Sequence, residues 1–312
     1  MMESARTVLI TGGTGMVGSA LVPVLLQKGY KVILLTRSLQ SSSLSRNAHR
    51  ALQYATWDPD SGLIDTAVLE QADHIVHLAG ANVAEKRWTA SRKKEICDSR
   101  VKSGRLLTSA LQKLSKRPVS FISASAIGWY GADASNPAIP FREEAPYDRS
   151  FLGETCKQWE DSIQELPAMD IRTVILRIGI VLSRKGGALP EFIKPLRLGV
   201  APILGSGRQV ISWIQLEDLV AMIVFAMEQP RLRGVYNAVA PAPATQQQLM
   251  NTLAQLTKRF FIPVPVPSWI LQVVMGEMSI EVLKSTTVSA DKILATGFSF
   301  RYPMLREALT AS

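Results

Sequence analysis

Four glycines stand within seven positions, directly after an apolar run near the start of the chain: Gly12, Gly13, Gly15 and Gly18. Glycine costs a helix or strand interior roughly 0.5–1 kcal/mol relative to alanine, so this concentration needs a chemical reason. In the spacing Gly-x-x-Gly-x-x-Gly, the first glycine permits a tight turn, the second lets the backbone approach a pyrophosphate, and the third allows close helix packing. We therefore predict that one turn binds a dinucleotide through Gly12, Gly13, Thr14, Gly15, Met16, Val17 and Gly18. A glycine-rich turn without a ligand is the alternative.

The end of the second predicted strand indicates which dinucleotide this turn would hold. An NAD-specific site usually has Asp or Glu there, about 20 residues after the glycines, to bind the ribose 2′-hydroxyl. This chain instead carries Thr36 and Arg37 at that point, with no carboxylate. Because a guanidinium pairs with a phosphate through two parallel hydrogen bonds, Arg37 favours NADP as the cofactor. The alternative is a solvated charge at a strand end.

Alternating strands and helices must position these residues. Apolar runs rich in β-branched residues predict strands at residues 7–11, 31–36, 52–57, 74–78, 120–123 and 172–178. Helical periodicity predicts helices at residues 16–28, 89–114 and 151–166. This alternation is typical of the α/β class and predicts a doubly wound parallel sheet of the Rossmann type.

The pattern changes after about residue 184, and this change suggests two domains. We predict a dinucleotide-binding domain over residues 1–184, to which residues 209–240 return, and a smaller α/β substrate-covering lobe over residues 185–312. Residues 255–305 would form a C-terminal module of that lobe. Residues 261–269 carry alternating prolines, which helix interiors and central strands exclude, so an extended connector is expected there.

Composition excludes several functional classes. The 312 residues are 47% hydrophobic and 20% charged, as in ordinary globular enzymes. The net charge of +9 includes no basic run interleaved with aromatics, so nucleic acid is not an expected partner. No stretch approaches about 20 apolar residues, so no membrane span is expected. Three histidines without an HExxH pattern suggest no metal, and two cysteines without metal spacing fit the cytoplasm.

Eight stretches match one family in order along nearly the whole chain: ITGGTGMVGSAL, HLAGANVAEKRW, CDSR, ISASAIGWYG, LRIGIVLS, GGAL, LGSGRQVISWIQLEDLV and ATGFSFRYP. The chain resembles the extended short-chain dehydrogenase/reductase superfamily, and more narrowly its "epimerase family protein" branch of NADP-dependent oxidoreductases. The resemblance makes a homodimer an option, although the sequence shows no diagnostic interface. It implies cofactor contacts at Thr36, Arg37, Leu78, Ala79, Gly80, Glu95, Arg100 and Val181. Without it, Glu95 and Arg100 would be taken as surface residues of a helix.

Hydride transfer to a carbonyl also needs a proton donor, and here the chain departs from the family. Most relatives use Ser or Thr with Tyr-x-x-x-Lys, in which the lysine lowers the tyrosine pKa. The serine corresponds to Ser125, or to Ser123 in another register, but Leu152 and Cys156 stand at the tyrosine and lysine positions. We predict Ser125 and Tyr130 as catalytic residues. The alternative for Tyr130 is a packed ring whose hydroxyl bonds to the backbone.

Three functions compete at this point. The first is an NADP-dependent oxidoreductase that acts on a small carbonyl or sugar-like substrate without the usual dyad. The second is an NADP-binding sensor or scaffold that does not turn over, and the third is a nucleotide-sugar epimerase or dehydratase. Substrate would lie beyond the carboxyl ends of the strands, lined by residues 82–88, 186–189 and 204–213.

Overall fold

The computed structural model describes residues 6–38, 50–134, 138–257 and 261–312. Its strands are β1 Thr7–Thr11, β2 Lys31–Thr36, β3 Leu52–Asp58, β4 Leu63–Ile64, β5 His74–His77, β6 Ser120–Ala126, β7 Arg172–Ile178, β8 Ile180–Leu182, β9 Val200–Leu204, β10 Val210–Ile211, β11 Trp213–Gln215, β12 Gly234–Ala238, β13 Ala244–Thr245 and β14 Ile262–Val266. Its helices are α1 Met16–Gln27, α2 Thr66–Leu69, α3 Ala90–Gln112, α4 Phe151–Asp161, α5 Leu189–Arg197, α6 Leu216–Glu228, α7 Gln246–Thr257, α8 Ser268–Met275, α9 Ser279–Leu283, α10 Asp291–Leu294 and α11 Leu305–Ala311.

One large sheet has β1 near its middle, and all five residues of β1 are therefore buried. The strand order is β12-β7-β6-β5-β1-β2-β3-β4, and every neighbouring pair is parallel except β3 with the short β4. Thr11 pairs with Leu35 of β2 and with His77 of β5. The carboxyl ends of these three strands therefore meet at one edge, where the glycine turn begins.

Helices cover both faces of this sheet, because successive strand residues are buried on opposite sides. Val8 and Ile10 pack on one face against a core supplied by α1 and α6. Leu9 packs on the other face against Leu107 and Leu111 of α3. The predicted doubly wound parallel sheet is confirmed, and β12 from the later part of the chain forms its outer strand.

A third core lies in the later part of the chain, between α5, α7 and α11. Trp213 is fully buried in this core and does not face an open cleft. Residues 262–266, expected to be a connector, form a strand instead, since Ile262, Val264 and Val266 pair in parallel with β9. A parallel strand uses the N–H groups of alternate residues on each side, so the alternating prolines are tolerated at an edge.

One strand and one helix differ in length from the predictions. Strand β6 runs to Ala126, three residues further than expected, and α4 ends at Asp161 instead of residue 166. After α4 the chain turns so that Ile163 and Leu166 enter the core beside α3, and Pro167 then opens a single 3₁₀ turn. No helix in the described part of the chain is long and apolar enough to cross a bilayer.

Candidate functional site: a dinucleotide cleft at the carboxyl edge of the sheet

The glycine turn is packed so closely that side chains are excluded from it. Gly12 has a φ of +67°, and a Cβ built on it would lie 2.7 Å from the carbonyl oxygen of Leu78. A Cβ on Gly18 would lie 2.5 Å from the carbonyl oxygen of Gly12. A Cβ on Gly13 would meet Leu34 at the same distance of 2.5 Å. The turn therefore lies flush against the end of β5 and the first turn of α1.

The amino terminus of α1 is open toward solvent. Its N-cap residue is Gly15, so no side chain caps the helix, and Thr14 and Gly15 are both exposed. The Gly15 N–H donates to the carbonyl of Gly12 at 3.0 Å, which closes the turn. The following N–H groups, of Met16 and Val17, begin the helix and suit a phosphate, because unpaired N–H groups and the helix dipole both favour an anion. The residues present fit a pyrophosphate here.

A second glycine pair covers the start of α1. Cβ atoms built on Gly186 and Gly187 would each lie 3.4 Å from the Met16 sulfur. A Cβ on Gly187 would also lie 3.4 Å from the carbonyl oxygen of Val181, a half-buried residue of β8. The structure thus brings Met16, Val181 and the 186–187 loop together above the glycine turn.

A buried hydrogen-bond chain fixes the turn after β5. Thr11 Oγ1 accepts from the N–H groups of Leu78 and Ala79 at 3.2 Å each, so its own proton goes to His77 Nδ1 at 2.7 Å. The other ring nitrogen, Nε2, then carries the proton and donates to Ser103 Oγ at 3.3 Å. Burial lowers the pKa of His77 to about 3, so the ring is neutral. This chain holds the Leu78–Ala79 backbone against the glycine turn.

Arg37 stands just past the end of β2, beside the glycine turn. Its side chain is exposed and forms no ion pair within the described residues. A nearby carboxylate, Asp58, accepts hydrogen bonds from the Ser61 hydroxyl and the Asp60 N–H, which lower its pKa, and the charge of Arg37 lowers it to a lesser extent without forming an ion pair. The guanidinium of Arg37 is therefore available to a phosphate on the adenosine side. Thr36 shapes the same strand end by donating from its hydroxyl to a backbone carbonyl.

Arg100 presents a second cation on the other side of the cleft. Its Cζ lies 5.0 Å from the centroid of the Trp159 ring, and a Cβ on Gly80 would lie 3.1 Å from the same atom. Its Nη1 donates to the carbonyl of Ile96 at 2.8 Å, and no carboxylate of the described chain pairs with it. Burial lowers the pKa of this half-buried guanidinium. Such a cation lacks a counter-ion and suits a ligand oxygen.

Glu95, five residues before Arg100 on α3, is paired with another side chain of the same helix. Its carboxylate accepts from Arg92 Nη1 at 2.7 Å, while Arg92 Nη2 donates to Glu85 at 2.8 Å and to the carbonyl of Asn82 at 2.6 Å. Arg92 is buried, whereas the Glu95 side chain is 58% exposed. Glu95 and Arg92 together fasten residues 82–88 to α3.

Ser125 and Tyr130, the predicted catalytic residues, lie in a buried polar cluster. Ser125 Oγ donates to Glu160 Oε1 at 2.7 Å, and Arg177 binds both oxygens of that carboxylate at 2.9 and 3.0 Å. The Tyr130 hydroxyl donates to Asn237 Oδ1 at 2.7 Å and accepts from Arg177 Nη1 at 3.0 Å. Burial raises the pKa of Tyr130 to about 12. These contacts favour a positioning role for both hydroxyls over proton transfer to a substrate.

The face of α4 that packs on the end of β6 and the turn after it is apolar. A Cβ built on Gly128 would lie 3.1 Å from Leu152 Cβ and 3.6 Å from Cys156 Sγ. Burial raises the pKa of Cys156 to about 12, so it stays a thiol at neutral pH. Ser125 bonds Glu160, eight residues after Leu152 and therefore about 12 Å along the helix.

Several residues of this edge were not singled out from the sequence. His77, Ser103, Glu160, Arg177 and Asn237 each hold a cleft segment in place. The available signal was a polar residue at or near the carboxyl end of an apolar strand, as for His77 in HIVH and Arg177 in RTVILRI. Their partners come from distant parts of the chain, which sequence spacing does not reveal.

Family comparisons place these observations among known proteins. Residues 8–239 match the model of the NAD dependent epimerase/dehydratase family, and residues 266–312 match a domain of unknown function, DUF1731. The epimerase family protein SSP1921 of Staphylococcus saprophyticus is 36% identical over 305 residues, which cover 96% of this chain and 97% of that protein. The epimerase family protein YfhF of Bacillus subtilis is 34% identical over 303 residues, which cover 97% of this chain and 96% of that protein.

Solved structures show the same architecture. Human epimerase family protein SDR39U1 (isoform 2), solved with NADPH, aligns over 98% of both chains with a TM-score of 0.84 and 32% identity. A nucleoside-diphosphate sugar epimerase from Corynebacterium glutamicum aligns with a TM-score of 0.76 and 29% identity, over 98% of this chain and 58% of that one. UDP-glucuronic acid 4-epimerase from Bacillus cereus, at 20% identity and a TM-score of 0.79, shares the fold.

Proposed function

Since this chain belongs to the NAD dependent epimerase/dehydratase family, as its motifs predicted, we propose that it is an NADP-dependent oxidoreductase acting on a small carbonyl or sugar-like substrate. The observation that carries the proposal is Arg37, an exposed cation without an ion pair in the described residues, placed beside an uncapped helix terminus. The human relative solved with NADPH supports the same cofactor. Free thiols at Cys97 and Cys156 fit a cytoplasmic location.

NADP(H), when bound, supplies or accepts a hydride. The chain's own residues would bind and orient it: the N–H groups of Met16 and Val17 would hold the pyrophosphate, and Arg37 would pair with the 2′-phosphate. Arg100 would donate to a cofactor oxygen from the opposite wall. The 186–187 loop lies against Met16, at the start of α1, where it would cover part of the bound pyrophosphate.

Proton transfer is the step for which this chain lacks the usual groups. We propose that the Tyr-x-x-x-Lys dyad is absent, because Leu152 and Cys156 stand at its positions in the motif and pack against Gly128, just after β6. The pKa of Cys156 is about 12, so its thiol does not exchange a proton efficiently at neutral pH. Ser125 and Tyr130 would hold the walls, and the proton would come from solvent or from the substrate's own acidic group.

The same observation favours a second candidate function. If the residues at the dyad positions, Leu152 and Cys156, supply no proton, the protein would bind NADP(H) without turnover and act as a sensor or scaffold. A nucleotide-sugar epimerase or dehydratase is compatible with the family and is the third candidate. It is less favoured, because transient oxidation of a sugar hydroxyl needs a base at the position that Leu152 occupies.

Turnover separates these candidates. The purified protein is incubated with NADPH and a panel of aldehydes, ketones and sugars while NADPH absorbance is followed. The oxidoreductase is supported if NADPH oxidation at limiting NADPH is slower in Arg37→Ala than in the natural chain. The matched variant Lys31→Ala, at the opposite end of β2, should oxidise NADPH at the natural rate. Bound NADPH without oxidation across the panel would overturn it and favour the sensor. Conversion of nucleotide sugars without net NADPH loss would favour the epimerase.

A further inference from the structure

A pocket of about 260 Å³ lies between α5 and α7, in the later part of the chain. Its floor is apolar, because Ile193 of α5 and Leu253 and Leu256 of α7 line it. Ile193 and Leu256 are only half-buried, so hydrocarbon surface remains in contact with solvent there. We call this space the α5–α7 pocket. A hydrocarbon group that covers such a floor is bound favourably, because apolar surface leaves water on both sides of the contact.

Three exposed cationic side chains also line the α5–α7 pocket: Arg184, Lys194 and Arg197. Lys194 pairs with Glu191 at 2.5 Å. Arg184 and Arg197 form no ion pair and no side-chain hydrogen bond with any residue that the structure describes. The other wall does not neutralise them, because α7 has the sequence QQQLMNTLAQLT, without a carboxylate. Two guanidinium groups beside an apolar floor are therefore available to an anion.

The meeting of these cations is not explained by α5 alone. Lys194 and Arg197 lie in the last turn of α5, where a positive charge complements the helix dipole. Arg184 belongs to a different segment, the turn that follows β8, and it lines the same pocket. Positive charges that the fold brings together repel one another, so the arrangement has a free-energy cost that a bound anion would offset.

We propose that the α5–α7 pocket binds a small amphipathic anion, with one carboxylate or phosphate group on a short hydrocarbon chain. The headgroup would pair with Arg184 and Arg197, because a guanidinium matches either anion through two parallel hydrogen bonds. The hydrocarbon chain would lie on Ile193 and Leu253. The volume of about 260 Å³ sets its length at about eight carbons, because a methylene is similar in size to water, which takes about 30 Å³ in the liquid.

The α5–α7 pocket is separate from the dinucleotide cleft. Arg184 stands two residues before Gly186 of the loop that lies against Met16, so the two sites are neighbours, but they share no lining residue. Their chemistry also differs, because the glycine turn offers backbone N–H groups, whereas the pocket combines side-chain cations with an apolar floor. A dinucleotide is much too large for this pocket. The ligand is therefore a second molecule, and its binding requires neither NADP(H) nor turnover.

Calorimetric titration of the full chain with octanoate and with octyl phosphate tests this proposal. We expect at least one of them to bind at one site with a dissociation constant below about 1 mM, and butyrate and octan-1-ol to bind at least about tenfold more weakly, because each lacks one half of the ligand. Affinity should fall at least about fivefold in Arg197→Gln and in Ile193→Asp. Arg231→Gln is the matched control, because Arg231 is an exposed arginine outside the pocket and should not affect binding. Circular dichroism and the urea midpoint of each variant verify folding.

Several results would overturn the proposal. One is a natural chain that binds neither octanoate nor octyl phosphate. Another is an affinity that stays unchanged in folded Arg197→Gln and Ile193→Asp. Binding that is lost in Arg37→Ala would assign the anion to the dinucleotide cleft, and octan-1-ol that binds as tightly as octanoate would leave the cations without a role. Either of these two results would also reject the α5–α7 pocket as an anion site.

Discussion

Arg177 and Glu160 form a two-point ion pair beneath the carboxyl edge of the sheet, with side chains only 3% and 10% exposed. Arg177 also stacks on Trp129, with 3.6 Å between its Cζ and the ring centroid. Replacing Arg177 with Met leaves the Glu160 carboxylate buried and unpaired, so we expect a loss of about 3–5 kcal/mol in the free energy of unfolding. Urea unfolding followed by circular dichroism measures this loss.

An exposed ion pair provides the control for that experiment. Arg142 and Asp291 are 71% and 69% exposed, so Asp291→Asn should cost no more than about 1 kcal/mol. The double variant Glu160→Gln with Arg177→Met should lose less than the two single variants together, because the two residues share one interaction. Equal costs for the buried and exposed pairs would contradict the role given to Arg177.

His77 makes stability depend on pH in a defined direction. Its pKa is about 3 in the folded chain and near 6.5 when unfolded, so the unfolded state binds more protons between these values. Stability is therefore fully present above about pH 6.5 and falls as pH drops toward 3. In His77→Asn the slope of unfolding free energy against pH should be shallower by up to about 1.4 kcal/mol per unit. Urea titrations between pH 7 and pH 4.5 measure it, and an unchanged slope would show that His77 titrates freely.

The sheet was largely predictable from the sequence, because its strands are continuous apolar runs bounded by turns. Strands 7–11, 31–36 and 172–178 have the expected bounds. The strand 262–266 was not expected, since its prolines argue against a strand and its partner β9 is about sixty residues earlier. Edge position, which makes the prolines tolerable, is a property of tertiary packing.

Gly18 lies in the first turn of α1 and Gly29 follows its end, and the structure gives them different constraints. A Cβ at Gly18 meets the backbone of the glycine turn at 2.5 Å, whereas one at Gly29 meets nothing within 4 Å. Gly18→Ala should therefore weaken NADPH binding at least tenfold and destabilise the fold by about 1–3 kcal/mol. Gly29 has a φ of +85°, which alanine adopts only with strain. Gly29→Ala should therefore lower the free energy of unfolding by about 1–2 kcal/mol without a change in NADPH affinity. Fluorescence titration distinguishes them, and equal affinities would contradict the packed turn.

The two cysteines should differ in reactivity. Cys156 is 4% exposed, and burial raises its pKa to about 12. Cys97 is partly exposed, and its pKa is raised by burial and by the neighbouring charge of Asp98. Iodoacetamide in mildly alkaline buffer should modify Cys97 slowly and Cys156 only after unfolding. Peptide mass spectrometry measures both sites. Rapid alkylation of Cys156 in the folded protein would show that α4 does not pack on β6 as described.

The sequence predicted the surroundings of the glycine turn more closely than those of Ser125 and Tyr130. The close packing of Gly12 and Gly18 and the position of Arg37 after β2 depend on local backbone geometry and strand order, which motif spacing encodes. Ser125 and Tyr130 depend instead on contacts with Glu160 and Asn237, more than 30 and 100 residues away. Sequence alone therefore singled out the hydroxyls of Ser125 and Tyr130 but did not predict the groups to which they are hydrogen-bonded.

Calorimetric titration with NADP⁺ and NAD⁺ is the most direct test of the proposal that the glycine turn binds a pyrophosphate and Arg37 selects the 2′-phosphate. We expect NADP⁺ to bind about tenfold to a hundredfold more tightly, because hydrogen bonds to charged groups contribute about 1.5–3 kcal/mol. Arg37→Ala should abolish that preference, while Lys31→Ala keeps it. Equal affinities for the two nucleotides in the natural chain, or no binding of either, would contradict the account.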